Sequence, residues 1–272
     1  MNTWKIVLCL LLWLLSTPSK VQAQAAAWTF GSQNVTAPPY WLSLDRSYYK
    51  KYLDASGVPI VASSTVSDAA LKKMKYIVNR MLEKDWYTRQ AVVTNLKRVL
   101  IIPKDQGMTS LPEYRYFDQI FPIPGSTWNE RAQGVGWTAE NPYVSCSEAD
   151  LLNSGYPSDR YTNESICVHE FAHTVFEAGI MKRDNNAYSR VLTLYNDALR
   201  RGYINTSMYA GATIHEYWAE SVQAFFNSAN CYNLATTPVC TNMALYSQDP
   251  NMWNEVGKWF YAPYQFTPQI YP

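Results

Sequence analysis

Between Glu164 and Gly179 the chain reads ESICVHEFAHTVFEAG, and the run from His169 to His173 restricts it more than any other stretch. On a helix, His169 and His173 sit one turn apart on one face. Two imidazoles there can reach a single metal ion, with Glu170 close enough to act on a water beside it. Helical spacing is present. Val168, Phe171, Ala172 and Val175 recur at i, i+3, i+4 and i+7 and predict a buried stripe, with Ile166, His169, Glu170, His173 and Glu177 opposite. Gly179 stands where such a helix would stop. An ordinary amphipathic helix is the competing explanation, but the chain has only three histidines. Two in this pattern, with the third, His215, in a second acidic run, favour metal binding over coincidence.

Residues 1–23 read as a secretory leader: Lys5, an apolar run from Ile6 to Leu15, and a small-residue cleavage site at Val21-Gln22-Ala23. That run is shorter than the ~20 residues a membrane helix needs. The chain is therefore expected to be secreted, extracellular and without a membrane anchor once the leader is removed. The proline-rich end, Tyr261 to Pro272, has no apolar run that could signal a lipid anchor. The formal charge of +1 includes Lys5 and Lys20, so the remaining chain carries −1. That balance excludes nucleic acid as the expected partner.

Cys9 leaves with the leader, and Cys146, Cys167, Cys231 and Cys240 remain. An even number in a secreted chain predicts disulfides. Cys146 with Cys167 and Cys231 with Cys240 is the preferred pairing, the first tying the His169 helix to the segment before it. Asn34, Asn163 and Asn205 head three glycosylation sequons.

Residues 24–66 carry Pro38, Pro39 and Pro59 and read as an N-terminal extension or pro-segment, leaving 67–272 as one domain. Ser67 then looks like the N-cap of a helix reaching about Lys84, with Leu71, Met74, Val78 and Met81 buried. A short helix over Thr88 to Leu96 and a strand from Arg98 to Ile102, closed by Pro103, follow. The Gly-, Pro- and aromatic-rich run from Asp105 to Asn153 suggests short strands with long connections. Further helices are expected from Asp184 or Asn185 to Arg201, and from Asp249 to about Phe260.

Two histidines leave a catalytic zinc one protein ligand short. A metzincin would have Gly at 176 and His at 179, where this chain has Phe176 and Gly179. A thermolysin-type enzyme would offer a glutamate on the next helix, where Asp197 stands instead. The helix following Tyr209 is the remaining source. With Ile214, Trp218, Val222 and Phe225 on its buried side, Glu216 and Glu220 project together from the other. Glu216 could complete the metal set and Glu220 could orient a ligating imidazole. Thr213 with Glu216 also has capping-box spacing, and both acids could lie on a solvated face.

HEFAH, followed by a tyrosine seven residues before the first glutamate of EYWAE, resembles the anthrax-lethal-factor-like gluzincins, whose layout the Pro-Pro endopeptidases share. The resemblance spans about Ile166 to Phe226. It implies that Glu216 is the third zinc ligand and that Tyr209 hydrogen-bonds the reacting carbonyl. Tyr209 also has a physical case, because a phenol can donate to an oxyanion from the side opposite a glutamate base. Tyr203 is its alternative. His215, about 100° away from Glu216 around the helix, reads as structural.

The expected fold is α+β, a zincin-like metallopeptidase domain: a small, mostly antiparallel sheet, the active-site helix and a C-terminal helical lobe. Substrate would add as a strand beside the metal, with Trp137 to Val144 as the segment for it unless that segment is a plain hairpin. The expected function is a secreted, monomeric zinc endopeptidase acting on peptide or protein substrates, with one Zn²⁺ per chain, His169, His173 and Glu216 as ligands and Glu170 as base. The alternative is a secreted zinc-containing binding module without turnover.

Overall fold

The computed structural model describes residues 34–152, 159–231 and 238–262. The leader and the last ten residues lie outside them. Five strands form one sheet in the order β1-β2-β3-β5-β4. They are β1 (Tyr49–Ala55), β2 (Val58–Ser63), β3 (Arg98–Ile102), β4 (Gly134–Val135) and β5 (Tyr143–Ser147). The class is α+β as expected, but the sheet is mixed and not mostly antiparallel. β1 with β2 and β4 with β5 are antiparallel, while β2, β3 and β5 run parallel. The reason is connectivity. Helices α1 (Asp68–Leu82) and α2 (Trp86–Asn95) carry the chain from β2 to β3, and a crossover of that length returns it in the same direction.

Residues 49–63, expected as part of an N-terminal extension or pro-segment, contain two strands of this sheet, so the boundary drawn at 66/67 falls between β2 and the helix that follows it. Ser56 and Gly57, at φ 56° and 98°, make the tight turn between them. Pro59 is tolerated beside that turn, where it pairs with Asp54.

Alternate residues of the strands bury on opposite sides. Ile60, Ala62, Val99 and Ile101 meet the helices, whereas Val61, Leu100 and Ile102 join Met108, Leu111, Tyr114 and Phe117 in a second cluster. Ser67 caps α1 by accepting from the Ala70 amide, and Asp85 caps α2. Trp137 to Val144 is not an edge strand. Residues 136–142 connect β4 to β5 as a hairpin, and the free edge is β4 itself.

In chain order the remaining helices are α3 (Phe117–Ile120), α4 (Trp128–Arg131), α5 (Glu148–Leu152), α6 (Ile166–Thr174), α7 (Ala187–Arg200), α8 (Tyr209–Ala212), α9 (Ile214–Phe225), α10 (Asn242–Gln248) and α11 (Pro250–Trp259). Gly179 does not end α6. The helix continues through a π turn, Val175–Ile180, and one more turn, Met181–Arg183. Gly179 serves close packing instead, since a Cβ there would lie 2.8 Å from Val92 Cγ2 and 2.9 Å from Thr88 Cγ2. No described helix is long and apolar enough to cross a membrane.

Both expected disulfides are present, Cys146–Cys167 and Cys231–Cys240. The first joins β5 to α6 across a sequence separation of 21. Replacing that pair by Cys146→Ala and Cys167→Ala should cost about 3 kcal/mol, mainly by freeing the unfolded chain. Guanidinium unfolding measures it, and an unchanged midpoint would contradict this account of the tie.

Candidate metal and catalytic site

Helix α6 enters the site from a buried, capped end. Ser165 accepts from the Val168 amide, and Asp150 of α5 accepts from the amides of Ile166 (2.9 Å) and Cys167 (3.1 Å). Burial, opposed by those two bonds, pushes the Asp150 carboxyl up to about 8. Helix α9 packs across α6. The Trp218 indole donates to the carbonyl of Ala172 at 3.0 Å, and its ring stacks on Phe176 at 4.6 Å where α6 widens into the π turn. That contact aims one face of α9 at the histidines.

The ligand-type atoms converge. His169 Nε2 lies 3.0 Å from Glu216 Oε2 and 3.1 Å from His173 Nε2, and His173 Nε2 lies 3.4 Å from the same carboxylate oxygen. Among the described residues, His169, His173 and Glu216 are the group able to hold a metal ion, with one donor atom each inside a 4.8 Å span. Two imidazole nitrogens and one carboxylate oxygen suit a borderline ion such as zinc and leave a position for solvent or substrate. Thr213 does cap α9 through the Glu216 amide, yet the Glu216 side chain still turns to the histidines. Capping therefore leaves the Glu216 side chain free to meet the histidines.

Sequence reasoning missed Gln223. Its Oε1 is 2.8 Å from His169 Nδ1, while its amide nitrogen donates to the Ser165 carbonyl at 3.0 Å. With the NH₂ so engaged, Oε1 must accept, so Nδ1 keeps a proton and Nε2 is the nitrogen whose proton a metal ion would displace. Glu220, expected in that orienting role, reaches Nδ1 only at 3.6 Å, beyond hydrogen-bond length. It is 1% exposed, and burial raises its carboxyl to about 8. Gln223 follows Glu216 at i+7 and Glu220 at i+3, on one helix face, which is the signal that could have found it.

Electrostatics favour positive charge at this point. Burial opposes protonation of His169, but Glu216, Glu170 and Glu220 outweigh it and push its pKa up to about 10 when no metal competes. Burial alone would raise Glu216, and the two imidazoles hold it below the usual carboxylate range. Glu170 is raised by burial, with His169 and His173 pulling the other way, and it accepts the Gly136 amide. A Cβ at Gly136 would sit 2.7 Å from His173 Cβ, so a glycine is required for the edge of the sheet to lie this close to α6.

A cleft of about 760 Å³ runs past these groups, lined also by Tyr209, Tyr161, His215 and Glu177. Tyr209 sits on the one-turn helix α8, half exposed, with its ring centroid 5.8 Å from that of His169. Burial and then the carboxylates of Glu216 and Glu170 raise its phenol above the ordinary value, so it remains a hydrogen-bond donor. Tyr203 does not line the cleft; it packs against the core beside Arg201. His215 Nδ1 lies 3.1 Å from Glu177 Oε1 at the wall of the cleft. Asn34, Asn163 and Asn205 are all exposed.

No protein-family model matches the chain, and no curated protein does. Among solved structures, a Pro-Pro endopeptidase from Paenibacillus alvei is similar over 74% of this chain and 97% of its own, at 18% identity and a TM-score of 0.48. That similarity is too distant to assign any residue a role.

Titration with Zn²⁺ near neutral pH is expected to release about one proton, because a pKa of about 10 leaves His169 protonated until the metal displaces it. Affinity should accordingly rise with pH through that range. Gln223→Ala should bind zinc about 10- to 100-fold more weakly. Calorimetry in buffers of different ionisation enthalpy reads both quantities; no proton release and an unchanged affinity would contradict the roles given to His169 and Gln223.

Proposed function

We propose that this protein is a zinc-dependent endopeptidase. The observation that carries the reading is the convergence of His169 Nε2, His173 Nε2 and Glu216 Oε2 within 3.0–3.4 Å, beside the Glu170 carboxyl in the same cleft. Zinc held by those three residues would acidify a water and polarise a carbonyl.

The chain's own groups account for the remaining chemistry. Glu170 would take a proton from the attacking water and return it to the leaving amine; burial raises its carboxyl above the ordinary value. The Gly136 amide holds that carboxylate in place while the Gly134–Val135 edge offers backbone groups to an extended peptide. Tyr209 donates to the oxygen on which negative charge grows. A site with only a structural metal would have no use for an acid at position 170. Secretion after loss of residues 1–23 belongs to the same reading, supported by two disulfides that fit an oxidising compartment. The exposed sequon asparagines are then sites for glycans.

Glu170→Gln should keep zinc and lose hydrolysis by a factor on the order of 10² to 10⁴. Tyr209→Phe should lower kcat by roughly 10² to 10³ with little change in KM. Steady-state assays on a quenched-fluorescence peptide the parent cleaves give both values. Full activity in Glu170→Gln would refute the assignment of the base.

A further inference from the structure

One part of the cleft lining is unlike the residues around the histidines. Phe117, Phe121, Ile123 and Trp128 form it, all from the segment between β3 and β4. The aromatic rings brace one another: Phe117 meets both Phe121 and Trp128 edge-on at centroid distances of 5.3 Å. Phe117 is anchored below in the second core cluster, 4.4 Å from the ring of Tyr114.

Hydrogen bonds fix the wall further. The Trp128 indole donates to the Phe121 carbonyl, and the Trp128 amide to the Asp118 carboxylate, each at 2.8 Å. Pro122 and Pro124 restrict the chain on either side of Ile123. Thr127 and Glu130 close a capping box at the start of α4. Yet Phe121 remains 42% exposed. A braced aromatic surface that stays uncovered loses little entropy when a ligand covers it.

We propose that this wall receives a bulky apolar or aromatic side chain of the peptide substrate, so that the protein selects peptides carrying such a residue at a fixed distance from the bond cleaved. The inference rests on the peptidase reading above and deepens it. The wall belongs to the same concavity as His169, Glu170 and Tyr209, whose volume suits a few residues of extended peptide and not a folded partner. Arg131 and Gln133 line the cleft too, but Phe117, Phe121, Ile123 and Trp128 offer an incoming side chain ring and aliphatic surface.

The test is cleavage of a mixed peptide library by the zinc-loaded protein, read by mass spectrometry. It is followed by kcat/KM for one cleaved peptide and for the same peptide with Ala at the selected position. The parent should prefer the apolar form by tenfold or more, on the scale expected for filling an apolar pocket. Phe121→Ala should lose most of that ratio and Phe121→Leu should keep most of it. Binding of the two peptides to the Glu170→Gln variant should show the same preference without turnover. Cleavage with no apolar preference, or a ratio unmoved in Phe121→Ala, overturns the role of the wall and leaves the peptidase reading standing. A zinc-loaded parent that cleaves nothing in the library overturns both.

Discussion

His169 is held between a carboxamide and a carboxylate in a space that water hardly reaches, and the state of this ring sets the chemistry around it. Gln223 fixes which nitrogen carries the proton, and Glu216 waits 3.0 Å from the other. Glu170 and Glu220 add negative charge close by. Buried acids at such density are costly unless a cation shares the space. A proton on His169 can serve, and the surrounding carboxylates raise its pKa accordingly; a divalent ion held by His169, His173 and Glu216 together would serve better.

The rest of the molecule keeps that ring where it is. Asp150 and Ser165 satisfy the first amides of the His169 helix, and the Cys146–Cys167 bond ties its first turn to the neighbouring strand. Trp218, fully buried between the two helices, sets their separation and so the distance from Glu216 to the histidines. The sheet approaches from the other side through Gly134 and Gly136, because any side chain there would collide with the helix. One helix therefore meets a capping acid, a disulfide, a stacked indole and a bare strand edge. On the peptidase reading proposed above, the groups given catalytic roles would need little rearrangement to act.

Much of this was legible in local pattern. The His169 helix, the Glu216 helix and the strand at 98–102 follow from periodicity and capping residues, which act over a few residues; the disulfide pairing found is the one preferred among three that the four cysteines allowed. What was not legible depends on distant partners. Residues 49–63 looked irregular because Pro59 interrupts them, and only pairing with β3 makes that hairpin part of the core. The direction of β2, β3 and β5 is set by long crossovers, not by the strands' own residues. Gly179 read as a stop signal, but the helix runs on through a π turn that no 3.6-residue period describes. Gln223 was overlooked because an amide on a helix is unremarkable until its two ends are seen to meet His169 and Ser165. The aromatic wall escaped for a similar reason, since two four-residue helices give too little periodicity to detect.

The central claim is that His169, His173 and Glu216 share one zinc ion. It is tested most directly by elemental mass spectrometry of the purified protein beside its Glu216→Ala variant. The account predicts about one zinc per chain in the parent and a clear loss in a folded variant. A folded parent without zinc, or a variant that retains it in full, would contradict the account.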